Sequence, residues 1–151
     1  MAAMNKPITA SNTASSAPLT ATPIKGPDSI WQQIRSEAQA AATDEPALAN
    51  FFNATVLSHS SLGSALSYYL ASKLASDEVP QAMLRNLMDR AFSTTDIINA
   101  AAADIAATVD RDSACTLYLT PFLYFKGFLA LQAYRAAHQL WNEERQSLAL
   151  L

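Results

Sequence analysis

Few residues of this 151-residue chain could do chemistry. The two histidines, His59 and His138, lie far apart in the sequence. His59 precedes Ser60-Ser61, so one reading is a Ser/His acyl-transfer pair, in which the imidazole takes the hydroxyl proton. The plainer reading is a polar connection between two helices. It is preferred because no orienting acid or oxyanion motif accompanies the pair. His138, among Ala137, Leu140 and Trp141, suits a hydrogen-bonded histidine at a helix–helix contact. Cys115 follows Arg111-Asp112-Ser113-Ala114, and an arginine nearby can lower a thiol pKa. Without a CxxC motif or a following helix start, an inert thiol is expected. Asp110-Arg111-Asp112 reads as a solvated turn, or as a carboxylate presented on a loop to something outside the domain. The aromatic run Tyr118, Phe122, Tyr124, Phe125 and Phe128 could line a ligand pocket, but its spacing favours core or subunit interface. No phosphate-binding glycine loop is present. No catalytic residue, metal ligand or cofactor site is assigned within the chain.

The elements that must position these residues read as helices. Ile30, Trp31, Ile34, Ala38 and Ala41 form an apolar stripe that Asp28 or Ser29 can cap. Pro46 opens a second stripe of Leu48, Phe51, Phe52, Thr55 and Val56. Ser60 or Ser61 can cap a third, with Leu62, Ala65, Leu66, Tyr69, Leu70 and Leu74. Pro80 opens a fourth, with Met83, Leu84, Leu87, Met88 and Phe92. Thr95 or Asp96 caps a fifth, with Ile98, Ala101, Ala102 and Ile105. Thr120-Pro121 predicts a last, long helix whose stripe is Phe125, Phe128, Leu131, Tyr134, Ala137 and Trp141. A short extended piece over Cys115 to Leu119 is the one candidate for strand-like backbone. The expected fold is all-α, with about six helices over 28–151.

Residues 1–27 differ in texture, with four of the seven prolines and runs of Ser, Thr and Ala. Such a segment buries too little apolar surface to offset its ordering entropy and is expected to be disordered. It is rich in Ser and Thr and free of acids, as organelle transit peptides are. It has no arginine, however, and its prolines oppose an amphipathic helix, so a cytoplasmic location is expected. Half the residues are hydrophobic and 15% are charged, enough for an ordinary core. The net charge of −3 makes no case for nucleic acid or an anionic membrane. One cysteine excludes an intramolecular disulfide. No apolar run reaches the length of a membrane span.

Several segments, taken together in order, resemble the N-terminal region of serine O-acetyltransferases. They are Ile30-Trp31-Gln32-Gln33-Ile34-Arg35-Ser36-Glu37-Ala38, Asp44-Glu45-Pro46-Ala47-Leu48-Ala49 and His59-Ser60-Ser61-Leu62-Gly63-Ser64-Ala65-Leu66-Ser67-Tyr68. Arg111-Asp112 follows, then Lys126-Gly127-Phe128 running into Ala130-Leu131-Gln132-Ala133-Tyr134-Arg135. The resemblance covers about residues 29–151. It implies an enzyme that moves an acetyl group from acetyl-CoA to L-serine, giving O-acetylserine for cysteine synthesis. It implies a helical domain followed by a left-handed β-helix of hexapeptide repeats. The β-helices form trimers, and the helical domains pair two trimers into a hexamer. The catalytic histidine and the acetyl-CoA groove belong to the β-helix, L-cysteine inhibits at the serine site, and a C-terminal tail binds cysteine synthase. This chain is expected to stop before the β-helix and to be inactive alone, its role being self-association. The alternative is a stand-alone helical module that co-assembles with, or regulates, a full-length enzyme. Asp112 matches a family aspartate that holds the amino group of serine. Many members carry proline after it, where Ser113 stands here, so a less rigid loop is expected.

Overall fold

A computed structural model describes residues 26–151. Helix α1 (Pro27–Asp44) begins directly after Gly26, with Pro27 in its first turn. Proline is pre-set for that position, where its missing N–H costs nothing. Asp28 and Ser29 are therefore inside the helix rather than capping it, and Asp28 sits against the positive end of the helix dipole. Residues 1–25 of the N-terminal segment lie outside the described residues. A 3₁₀ turn (Pro46–Leu48) leads to α2 (Ala49–Phe52), which widens into a π turn over Asn53–Leu57. Phe52, Thr55 and Val56 are buried there, while Leu48 is exposed.

Helix α3 (Leu62–Leu74) is the central element, with Leu62, Ala65, Leu66, Tyr69 and Leu70 buried among the other helices. Its buried Ser67 hydroxyl donates to the Gly63 carbonyl, and Tyr69 donates to Leu123 O at 2.7 Å. Helix α4 (Gln81–Phe92) packs along it so closely that a Cβ on Gly63 would stand 2.8 Å from the Phe92 carbonyl oxygen. Helix α5 (Thr95–Arg111) follows, buried through Ala101, Ala102 and Ile105. Neither Thr95 nor Asp96 caps it. Thr94 precedes the first turn, and its hydroxyl bonds Gln139 across the fold at 3.2 Å instead.

The long last helix expected from Thr120-Pro121 is interrupted. α6 (Leu119–Tyr124) stops at Phe125, whose backbone is extended (φ −86°, ψ 102°), and α7 (Lys126–Asn142) restarts at once. The break redirects the second piece. Its buried face is Phe128, Gln132, Ala136 and Leu140, whereas Leu131, Tyr134 and Trp141 of the expected stripe are exposed. A Schellman turn ends α7, with Arg145 N–H bonding Leu140 O at 2.9 Å and Glu144 in the left-handed region at φ 61°. A short α8 (Gln146–Ala149) follows. The described residues thus hold eight α-helices and no strand; Cys115 to Leu117 is irregular.

Candidate functional site

The charged knot at the end of α5 forms a small hydrogen-bonded turn. Asp112 has left the helix (φ −101°, ψ 103°), and its N–H still bonds Thr108 O at 3.0 Å. Its Oδ1 accepts from Ala114 N–H at 2.9 Å, and its carbonyl accepts from Cys115 N–H at 2.9 Å. An aspartate that bonds the backbone two residues on is a recurrent turn-former. Residues 110–114 are exposed and Cys115 is buried, so the turn is pinned at one side and open at the other. Burial, reinforced by the Asp112 charge, pushes the Cys115 thiol up, away from reactivity. Neither hydrogen bond of the turn uses the Ser113 N–H, so the missing proline removes neither of them.

The rest of the loop runs back to α6. The Leu117 carbonyl accepts from Thr120 N–H at 3.3 Å and from the Cys115 thiol at 3.6 Å. The first N–H of α6, on Leu119, donates to Glu37 Oε2 of α1 at 2.7 Å. Glu37 Oε1 in turn accepts from Gln33 at 3.1 Å.

His59 does meet a serine, but it is Ser64 rather than Ser60 or Ser61. Its Nδ1 lies 3.2 Å from Ser64 Oγ, and its Nε2 lies 3.0 Å from the Ala54 carbonyl. A carbonyl only accepts, so Nε2 carries the proton and Nδ1 accepts from the hydroxyl. Ser64 Oγ also accepts from Arg85 at 3.0 Å, while Ser61 Oγ caps the Ser64 N–H at 3.2 Å. Arg35 donates to the Leu57 and His59 carbonyls at 2.9 and 2.6 Å. Burial holds the imidazole below its ordinary 6.5, opposed by the Ala54 hydrogen bond and assisted by the Arg85 charge. No carboxylate orients the ring, and an arginine withdraws charge from the hydroxyl. This arrangement fastens the 57–61 turn to α3 and does not activate a nucleophile.

His138 is exposed on α7 rather than held at a helix contact. It makes one bond of 3.3 Å, to Asn142 one turn on, and its ring centre lies 5.8 Å from that of Tyr134. Of the aromatic run, Phe122 and Phe128 are core, Tyr118 and Phe125 half-buried, and Tyr124 exposed.

Sequence reasoning missed the polar network that joins α5 to α7. Gln132 is fully buried and donates to Asp104 Oδ2 at 3.0 Å. Arg135 pairs with the same carboxylate and also donates to Gln132 Oε1 at 2.8 Å. A polar residue interrupting an apolar helical stripe was the available signal. The end of α3, with α4, α7 and α8, borders an apolar groove of about 400 Å³ lined by Leu74, Leu84, Leu87, Leu140 and Leu148. Among the described residues no group of His, Cys, Asp and Glu could hold a metal, and no helix is long and apolar enough to cross a membrane.

A family model described as "Serine acetyltransferase, N-terminal" matches residues 30–133. The chain is 52% identical over 122 residues to the serine acetyltransferase of Haemophilus influenzae, covering 80% of this chain and 46% of that protein. A solved serine acetyltransferase in complex with CoA superposes with a TM-score of 0.79 at 50% identity, over 83% of this chain and 54% of that one. A soybean serine acetyltransferase complexed with serine gives 0.77 at 46% identity, over 80% and 50%. The chain spans about half the length of the relatives it matches.

Proposed function

The chain belongs to the serine acetyltransferase family, as its N-terminal helical domain, and from that premise we propose that it supplies one wall of a serine site and a self-association surface. The reaction is acetyl transfer from acetyl-CoA to the L-serine hydroxyl. Asp112 carries the serine contact. Its carboxylate is exposed and fixed on one oxygen by its own turn, and among the described residues no cation pairs with it. A carboxylate so presented binds the ammonium of an amino acid by a charge-assisted hydrogen bond. Holding that end of serine restricts where the hydroxyl points, which favours attack on the thioester.

The base and the acetyl-CoA groove come from outside this chain. His59 has both ring nitrogens engaged, and His138 stands on an exposed helix face without an acid to orient it. A hydroxyl nucleophile needs a base within hydrogen-bond reach, so the helical chain alone is expected to be inactive. L-cysteine, with the same ammonium and carboxylate as serine, is a natural competitor at the completed site. The exposed Leu131, Tyr134 and Trp141 on α7 support self-association. Light scattering at rising concentration checks that role, and a strict monomer at high micromolar concentration would remove it.

The test of the serine contact joins residues 27–151 to the C-terminal half of the Haemophilus relative and follows thiol release from acetyl-CoA. The hybrid is expected to turn over serine. Asp112→Asn should raise the serine KM by about tenfold to a hundredfold, the worth of a hydrogen bond to a charged group. The acetyl-CoA KM should stay unchanged. An unaltered serine KM in Asp112→Asn would sink the assignment.

A further inference from the structure

Asp112 and Glu37 hold the same loop from opposite ends. At the near end, the Asp112 side chain and carbonyl bond Ala114 and Cys115. In the middle, the Cys115 side chain is buried and its thiol bonds the Leu117 carbonyl. At the far end, the Glu37 carboxylate of α1 receives the Leu119 N–H at 2.7 Å. That bond is short and charge-assisted, and it is partly sheltered from water, where such bonds count most. Gln33 holds the other oxygen of Glu37, so the carboxylate is itself oriented.

We propose that Glu37 is a positioning residue for serine binding, acting on Asp112 through the loop over 113–118. The inference rests on the serine-site reading of Asp112. Three features separate this role from general stabilisation. First, α6 is held by Phe122 and Leu123 beyond its first turn, with the Phe122 ring centre 6.3 Å from that of Trp31 in α1. Losing the carboxylate therefore leaves α6 docked and frees mainly the peptide at the loop junction. Second, only the irregular stretch over 115–118 separates the Leu119 N–H from the turn that Asp112 closes, so the direction in which that stretch leaves α6 bears on how the turn is presented. Third, the carboxylate reaches the loop from α1, a different element, so it fixes the loop's end across the fold rather than within the loop.

The experiment uses Glu37→Ala and Glu37→Gln. Glutamine keeps an acceptor oxygen for the Leu119 N–H, and alanine does not. In the full chain, amide hydrogen exchange at Leu119 and Ala114 should quicken in Glu37→Ala and remain close to the parent in Glu37→Gln. In the active hybrid, Glu37→Ala should raise the serine KM about tenfold, with acetyl-CoA KM unchanged and Glu37→Gln restoring most of the loss. An unchanged serine KM in Glu37→Ala, while Asp112→Asn raises it, overturns the role of Glu37 alone. Parallel shifts in both KM values with a lowered melting temperature overturn it too, because they indicate a general structural role. If Asp112→Asn itself has no effect, the serine-site reading fails and this inference falls with it. The exchange data then still report whether Glu37 holds the loop.

Discussion

The turn over 57–61 and the turn over 112–115 both interrupt helices with polar residues, and they dispose of those residues in opposite ways. At the first, His59 and Ser64 are half-buried and bonded to each other, Arg35 holds the Leu57 and His59 carbonyls, Arg85 holds Ser64, and each of these polar groups meets a partner within the chain. At the second, the backbone is satisfied, but the Asp112 carboxylate stands exposed with one internal bond. A histidine beside a serine is the more eye-catching pair in the sequence, yet a fully engaged network has nothing left to offer a substrate. The modest aspartate has. Availability, not residue type, separates the two turns.

That contrast can be attacked from the inert side first. Gly63→Ala, one residue from Ser64, should destabilise the chain by about 1–3 kcal/mol. The new Cβ would stand 2.8 Å from a backbone carbonyl, which yields less readily than a side-chain tip. This steric cost outweighs the better helix propensity of alanine, worth about 1 kcal/mol. Urea denaturation measures it, and a substitution that proved neutral would mean the α3–α4 contact is looser than described.

His59→Ala should cost about 1 kcal/mol at neutral pH, the net worth of a hydrogen bond. The pH dependence carries more information. Because burial lowers the His59 pKa, the unfolded state binds the proton more readily. The contribution is therefore fully present above the ordinary value of 6.5 and is lost as pH falls below it through the depressed folded value. The stability difference between parent and His59→Ala should shrink over that acid range. A difference that stayed constant from pH 7.5 to about 5 would show that His59 is not held neutral by the fold.

The smallest effect sharpens the open side. Ser113 is the second residue of the 112–115 turn, where proline is favoured, and its N–H serves neither of the turn's bonds. Ser113→Pro should stabilise the chain by about 0.4–1 kcal/mol by restricting the unfolded state. It should leave the serine KM of the hybrid within about twofold, since the Asp112 turn is already closed by its own bonds. A large drop in serine KM would instead mean that the serine at this position leaves the carboxylate slack. The loop expected to be loose from Ser113 alone is hydrogen-bonded without proline.

Much of the helical part was legible because its signals are local. Apolar spacing placed α1, α3, α4 and α5, and Pro80 marked a helix start as read. Cys115, read as a thiol without a motif around it, is buried, and burial pushes its pKa up. The candidate site was legible only as a charged turn, and the family resemblance is what singled out Asp112. Nothing in residues 110–112 announces Glu37.

The sequence by itself determined the all-α class, most of the apolar faces of α1, α3, α4 and α5, and the family, because period, proline and ordered motif are properties of neighbouring residues; Leu48, Leu74 and Met83 of the expected stripes are exposed. Tertiary structure decided the rest. It broke the last helix at Phe125, turned Leu131, Tyr134 and Trp141 outward, and buried Gln132 against Asp104. It also brought the Glu37 carboxylate to the Leu119 N–H. Such pairings bring together groups from different elements. They depend on how whole helices pack, and no local pattern encodes that.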